Sequence, residues 1–132
     1  MDKPKGRILC VDDDKDTRDM MTALLGLEGY EVVQARSVAE GLALAVSDNF
    51  DLILLDWVFA DGTGIELCKM IRRTSAAAAP ILFYSGMALK DDIENAMSAG
   101  AQGFLVKPVD FEVLLQNVSH FVVKDGSTST VN

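Results

Sequence analysis

Short apolar runs alternate with amphipathic segments along most of the chain. Five of the runs are typical of strands, because branched and aromatic residues dominate them. They are RILCV (7–11), YEVVQA (30–35), DLILLD (51–56), PILFYS (80–85) and GFLVK (103–107). The segments between and after them have the apolar spacing of helices. For the first helix we predict one broad apolar face, formed by Met20, Met21, Leu24, Leu25 and Leu27.

Local signals predict where several helices begin and end. Gly29 and Gly100 are placed to end the first and fourth helices, since glycine is favoured just past a helix C-terminus. Ser37 with Glu40 three residues later predicts a capping box at the start of the second helix. Five strands that alternate with five helices predict an α/β fold, a doubly wound parallel sheet covered on both faces.

Composition narrows the class of protein. The 132 residues suffice for one domain, and we place it at 7–124, with an N-terminal extension at 1–6 and a polar tail or linker stub at 125–132. A net charge of −8 argues against direct binding of nucleic acid by this domain. No apolar run is long enough for a membrane span or a signal peptide, so we expect a cytoplasmic protein with no membrane contact. The two cysteines, Cys10 and Cys68, are expected to be free and buried.

Polar residues whose side chains are able to bind a metal or react stand at the ends of four of the five strands. Asp12 and Asp13 follow the first strand, Asp56 ends the third, Ser85 ends the fourth and Lys107 ends the fifth. Because the carboxyl ends of parallel strands share one edge, these side chains are expected to converge there.

The chemistry of such a cluster is specific. Close carboxylates attract a hard cation with oxygen ligands, such as Mg²⁺. An ammonium and a hydroxyl suit phosphoryl oxygens, and a carboxylate such as Asp56 is able to act as a nucleophile toward phosphorus. Each residue taken alone has a plainer interpretation as a helix cap, a turn residue or a solvated charge. We assign Asp14, the third aspartate of the run, to capping the first helix.

The motifs VDDD, LILLD, DGTG, YSG and GAQGFLVKP, in this order over roughly 7–123, resemble the receiver domains of two-component response regulators. The resemblance implies a flavodoxin-like (βα)5 fold with strand order 2-1-3-4-5. It also implies that Asp56 accepts a phosphoryl group. The implied cofactor is Mg²⁺ (or Mn²⁺), held by Asp12, Asp13, Asp56 and the backbone carbonyl of Val58.

The resemblance implies roles for five further residues. Ser85 would bond a phosphoryl oxygen and shift toward it, while the small Gly86 leaves room for the phosphoryl group. Lys107 would pair with the phosphoryl group or, before phosphorylation, with Asp56. Phe104 matches an aromatic switch position that packs inward when the hydroxyl moves. The bond before Pro108 would be cis.

The implied function is that of a switch. A histidine kinase or phosphotransfer protein would donate the phosphoryl group, and the surface of the fourth helix, fifth strand and fifth helix would change for a downstream protein. The domain would not be an enzyme, although it would assist its own phosphorylation and autodephosphorylation. Whether it acts alone, as a relay or as part of a longer chain is left open.

Three other functions fit the pattern less well. A phosphorylation-independent pseudo-receiver, acting as an interaction module, would normally lack Asp56, the acidic pair or Lys107. A phosphatase that forms an aspartyl phosphate would have an aspartate at the place of Val58. A flavodoxin would have a hydroxyl- and glycine-rich loop after the first strand, where DDDKD would repel a flavin phosphate.

Overall fold

The five apolar runs form one parallel sheet in the computed structural model, which describes residues 3–74, 78–86 and 89–122. Seven strands are present in the described residues: β1 (Gly6–Val11), β2 (Tyr30–Ala35), β3 (Leu52–Leu55), β4 (Val58–Phe59), β5 (Gly62–Thr63), β6 (Ile81–Ser85) and β7 (Gly103–Val106). The helices are α1 (Lys15–Leu27), α2 (Val38–Ser47), α3 (Gly64–Arg73), α4 (Lys90–Ser98) and α5 (Phe111–Phe121). The sheet order β2-β1-β3-β6-β7 confirms the predicted flavodoxin-like arrangement of the five main strands.

Strict alternation along the strands divides the core into two layers. Val11, Leu55 and Phe83 face the layer to which α2, α3 and α4 contribute, whereas Cys10 and Leu54 face the layer with α1 and α5. Successive side chains of a strand point to opposite faces, so a run that is apolar throughout supplies both layers at once. This explains why the strands read as continuous apolar runs.

The predicted apolar face of α1 is wrong for two of its five residues. Met21 and Leu25 are fully buried, but Met20 is 44% exposed and Leu27 is 83% exposed. Residues four apart lie on the same side of a helix, which places 21 and 25 together toward the sheet. Met20 and Leu27, seven apart, share a different side that faces solvent.

Helix capping follows the predictions only in part. The Asp14 carboxylate accepts a hydrogen bond from the backbone N–H of Thr17 (3.1 Å) and so caps α1. Ser37 caps α2, but the Glu40 carboxylate accepts from the N–H of Arg36 (2.8 Å), one residue before Ser37, so the predicted capping box is incomplete. A complete capping box occurs instead at α3, between Thr63 and Glu66.

A short antiparallel hairpin, β4 with β5, follows the third sheet strand and was not predicted. Its two-residue loop is Ala60–Asp61, and Gly62, which begins β5 and pairs with Phe59, has a positive φ of 151° that favours glycine. The Asp61 carboxylate in this turn accepts from the N–H groups of Val38 (2.9 Å) and Ala39 (3.1 Å). The hairpin is therefore tied to the N-terminus of α2. Within the described residues, no helix has the length and apolar character needed to cross a membrane.

Both thiols should be unreactive in the native protein. Cys10 and Cys68 are free and buried, and burial raises the pKa of Cys10 to about 12 and also raises the pKa of Cys68. Since only the thiolate reacts, roughly one Cys10 in 10⁴ is reactive at pH 8. We expect Ellman's reagent to label no thiol within minutes at pH 8 and two thiols in guanidinium. Reaction of one thiol of the native protein with the reagent within minutes would contradict this expectation.

Candidate functional site

Three carboxylates converge at the carboxyl ends of β1 and β3. Oxygens of Asp12, Asp13 and Asp56 lie within 4.8 Å of one another. Backbone hydrogen bonds continue the sheet to this point: the N–H of Asp56 donates to the carbonyl of Val11 on β1 (3.0 Å), and the N–H of Asp12 donates to the carbonyl of Ala35 on β2 (3.0 Å). Asp12 is buried, Asp56 is half-buried and Asp13 is exposed, so the cluster opens to solvent on the side of Asp13.

Lys107, just past β7, brings one positive charge to this cluster. Its Nζ lies 3.1 Å from Oδ2 of Asp12 and 3.6 Å from Oδ2 of Asp56. The ammonium thus bridges the two carboxylates. Its contact with Asp12 is shorter than its contact with Asp56, the partner that the resemblance implied. The N–H of Lys107 donates to the carbonyl of Ser85 (2.8 Å), which continues the pairing of β6 with β7 and fixes the backbone of the lysine.

The electrostatics of the cluster favour a bound cation. Burial raises the pKa of Asp56, the hydrogen bond from the N–H of Trp57 works against this, and the charge of Asp12 raises the pKa further. Burial lowers the pKa of Lys107, but the charges of Asp12 and Asp56 outweigh it, so the pKa lies above its ordinary value. One ammonium does not neutralise three carboxylates, and a divalent ion would relieve the remaining repulsion.

Backbone groups hold the carboxylates in place. Oδ1 of Asp12 accepts from the N–H of Asp14 (2.9 Å), and Oδ1 of Asp56 accepts from the N–H of Trp57 (2.7 Å). Arg18 donates to the backbone carbonyl of Asp12 (2.8 Å) and to the side chain of Gln34 (3.0 Å). Arg18 was not predicted to be a site residue, because its role depends on the packing of α1 against β2.

The other predicted residues surround the cluster at different depths. Ser85 ends β6 and is 2% exposed, while a methyl group at the exposed Gly86 would meet nothing within 4 Å. Val58 is 54% exposed at the start of the hairpin, two residues after Asp56. The Lys107–Pro108 peptide bond is cis.

Phe104 belongs to an aromatic cluster beside the site. Its half-buried ring stacks on Phe83, with centroids 5.8 Å apart and an interplanar angle of 13°. The ring of Trp57 packs against both, at 5.4 Å from Phe83 and 5.9 Å from Phe104. The residue next to Asp56 is therefore in contact with the predicted switch position.

Tyr84 is a second residue that sequence reasoning missed. The Nζ of Lys107 lies 5.0 Å from the centroid of its ring. Tyr84 and Leu105 are paired in register, and Lys107 follows two residues after Leu105. Because residues two apart on a strand lie on the same face, this alternation predicts that Tyr84 and Lys107 share one side of the sheet.

The residues present fit a magnesium ion. Carboxylate oxygens are the ligands that this hard cation prefers, and the cluster supplies them from two rigid strand ends. Asp56 lies in this cluster and also near the ammonium of Lys107. Such surroundings suit a carboxylate that attacks a phosphoryl group.

Comparison with known proteins agrees with this arrangement. The protein-family model of the response regulator receiver domain matches residues 8–119. The nisin biosynthesis regulatory protein NisR of Lactococcus lactis is 34% identical over 112 residues, which are 85% of this chain and 48% of NisR. The sensor kinase/phosphatase CqsS of Vibrio cholerae is 36% identical over 118 residues, 88% of this chain and 17% of CqsS. The chain thus spans about half of the first relative and a smaller part of the second.

Solved structures share the whole fold. The chemotaxis response regulator CheY4 of Vibrio cholerae superposes with a TM-score of 0.83 at 32% identity, over 91% of this chain and 99% of CheY4. The response regulator TrrA of Thermotoga maritima, in complex with Mg²⁺-BeF, gives a TM-score of 0.78 at 30% identity, over 87% of this chain and 97% of TrrA. The chain therefore belongs to the family of response regulator receiver domains.

Proposed function

We propose that this domain accepts a phosphoryl group on Asp56 in a Mg²⁺-dependent reaction, and that the donor is a histidine kinase or a histidine phosphotransfer protein. One observation carries the proposal: Asp12, Asp13 and Asp56 place oxygens within 4.8 Å of one another, and the ammonium of Lys107 lies 3.6 Å from Oδ2 of Asp56. A carboxylate oxygen of Asp56 would attack phosphorus and form an acyl phosphate, while the phosphorus–nitrogen bond of the donor breaks and the imidazole keeps the bonding pair.

The metal would be Mg²⁺ (or Mn²⁺), held by Asp12, Asp13, Asp56 and the backbone carbonyl of Val58. When bound, it supplies positive charge to the phosphoryl oxygens. The ammonium of Lys107 would move from Asp12 toward the phosphoryl group, which carries more negative charge than one carboxylate.

The remaining residues would receive and report the new group. The Ser85 hydroxyl would donate to a phosphoryl oxygen, and the absence of a side chain at Gly86 would leave room for it. As Ser85 shifts, Phe104 would turn further inward against Phe83. The cis bond before Pro108 would set the path of the chain after Lys107.

The output would be a protein contact on the face formed by α4, β7 and α5. Large apolar side chains exposed there support this: Leu89 (72%), Met97 (44%), Val106 (42%) and Val113 (39%). The net charge of −8 supports a protein partner over nucleic acid. We assign the receiver to 7–124 and expect it to work in the cytoplasm. The extension predicted at 1–6 overlaps β1 by one residue, Gly6, and the tail predicted at 125–132 lies outside the described residues.

The domain would act as a signalling element and not as an enzyme, although it would assist both its phosphorylation and its autodephosphorylation. The alternative of a pseudo-receiver that binds partners without phosphate is less well supported, because Asp12, Asp13, Asp56 and Lys107 are all present at one sheet edge. A pseudo-receiver has no need of that set.

The test is phosphorylation by a small donor. We expect incubation with acetyl phosphate and Mg²⁺ to add one phosphoryl group, read as intact mass, and the same incubation with EDTA in place of Mg²⁺ to add none. A protein that stays unmodified with Mg²⁺, and that also fails to bind beryllofluoride, would contradict the proposal. Modification that is independent of Mg²⁺ would contradict the metal site.

Val58 should prolong the life of the phosphorylated state. Its side chain is apolar and 54% exposed beside Asp56, so it offers no polar group to orient an attacking water. We expect Val58→Asn to hydrolyse its aspartyl phosphate roughly tenfold faster than the wild type, since orienting a reactant is worth at least this much. Decay of intact phosphoprotein after removal of the donor measures both rates.

The control for this variant is Val46→Asn. Val46 is 42% exposed on α2, so the substitution makes the same chemical change away from the site. Its phosphoryl lifetime should match that of the wild type. Equal lifetimes for Val58→Asn and wild type would show that Val58 does not limit hydrolysis.

A further inference from the structure

We propose that Tyr84 is a positioning residue for the ammonium of Lys107; this inference rests on the proposed function and adds a residue to it. The Nζ of Lys107 lies 5.0 Å from the centroid of the Tyr84 ring. The face of an aromatic ring attracts a cation within about 6 Å of its centroid. The ring is thus a third partner for the ammonium, beside the carboxylates of Asp12 (3.1 Å) and Asp56 (3.6 Å).

The register of the sheet brings the ring and the ammonium together. Tyr84 on β6 is paired with Leu105 on β7, and both belong to the core layer that contains α1 and α5. Lys107 follows two residues after Leu105, and its N–H donates to the carbonyl of Ser85, so the pairing continues past the end of β7. Alternation therefore directs Lys107 to the same side of the sheet as Tyr84.

The ring is fixed, whereas the lysine side chain is flexible. Tyr84 is 8% exposed and packs in the core layer, and a tyrosine ring is placed by only two side-chain torsions. Lysine carries its point charge on a four-carbon stem. A fixed ring beneath the ammonium restricts that stem to the space beside Asp12 and Asp56.

The ring would keep this role when the carboxylates change partners. If Asp12 and Asp56 turn toward a bound metal ion, the ammonium loses part of its ion pairing. A ring face has no single hydrogen-bond direction, so the ammonium is able to shift toward a phosphoryl oxygen and stay in contact with the ring. The face of the ring is what matters here, and the hydroxyl of Tyr84 is not required.

The experiment compares Tyr84→Phe, which keeps the ring, with Tyr84→Leu, which removes it. The probe is beryllofluoride with Mg²⁺, and the fluorescence of Trp57 reports binding. We expect Tyr84→Leu to bind beryllofluoride roughly tenfold more weakly than the wild type, and Tyr84→Phe to differ by no more than about twofold. The affinity for Mg²⁺ alone should stay the same in all three proteins, because the carboxylates are unchanged.

Tyr30→Leu is the matched control. Tyr30 is 7% exposed in the same core layer, and the Nζ of Lys5 lies 5.7 Å from its ring, but it begins β2 at the opposite end of the sheet. This variant should bind beryllofluoride as the wild type does. An equal loss in Tyr30→Leu would assign the effect to a loosened core and overturn the inference.

Further outcomes would also overturn it. Tyr84→Leu would bind beryllofluoride as tightly as the wild type if the ring were irrelevant, and Tyr84→Phe would bind as weakly as Tyr84→Leu if the hydroxyl were the active group. In the unaltered protein, the ε-methylene protons of Lys107 should be shifted upfield by the ring, and an ordinary shift would remove the contact itself. A wild type that binds no beryllofluoride is a different result, which contradicts the proposed function.

Discussion

Asp56→Asn should abolish phosphoryl uptake while it makes the metal-free protein more stable. The amide has no carboxylate oxygen to attack phosphorus, so acetyl phosphate and Mg²⁺ should add no mass to this variant. Burial and the charge of Asp12 both raise the pKa of Asp56, so the ionised side chain opposes folding at neutral pH. In EDTA at pH 7.5, we expect the Asn variant to melt at a higher temperature than the wild type.

The difference in melting temperature should depend on pH in a defined sense. Because the pKa of Asp56 is higher in the folded protein than the ordinary 3.8, its contribution to stability is favourable below 3.8 and is lost as the pH rises through the folded pKa. The gap between the Asn variant and the wild type in EDTA should therefore be small near pH 3.5 and grow above it. Added Mg²⁺ should reduce the gap by stabilising the wild type more.

Asp16→Asn serves as the control for this experiment. Asp16 is an exposed aspartate on α1 outside the cluster, and its replacement removes one negative charge without touching the site. It should take up one phosphoryl group as the wild type does. Uptake by Asp56→Asn at another residue, or a lower melting temperature in EDTA, would contradict the assignment of the acceptor.

The sheet was predictable because burial on both faces leaves a strong signal in the sequence. A strand such as LILL (52–55) has no polar residue to place at the surface, and all four residues are buried. The faces of α1 were harder to predict, because Met20 and Leu27 are apolar and yet exposed. Composition identifies the helix, but only the packing against the sheet decides which side of it is covered.

The candidate site was predictable as far as strand ends determine it. Asp12 and Asp56 end paired strands, so their convergence follows from the topology alone. The contacts of Lys107 do not follow, because a long side chain selects among Asp12, Asp56 and Tyr84 by geometry that no spacing encodes. The β4–β5 hairpin was not predicted, because each of its strands has only two residues. The capping of α2 by Asp61 was not predicted either, because it joins positions more than twenty residues apart.

Gly64→Ala should be the most damaging of the single-methyl substitutions that we consider. Gly64 begins α3, and its N–H donates to the carbonyl of Trp57 (2.7 Å). A methyl group there would lie 2.2 Å from the backbone oxygen of Asp56 and 2.8 Å from the ring of Phe83. Neither neighbour is able to yield easily, since one is backbone and the other is a fully buried ring.

We expect Gly64→Ala to lower the free energy of unfolding by about 3 kcal/mol or more, at the upper end of overpacking costs. Since the clash falls on the backbone of Asp56, affinity for Mg²⁺ should fall as well. Gly26→Ala is the matched control, because a methyl group at this exposed position of α1 would meet nothing within 4 Å. That variant should gain roughly 0.5–1 kcal/mol from the helix preference of alanine. Urea denaturation measures both changes, and equal stability of the two variants would show that α3 is free to move away from the acceptor strand.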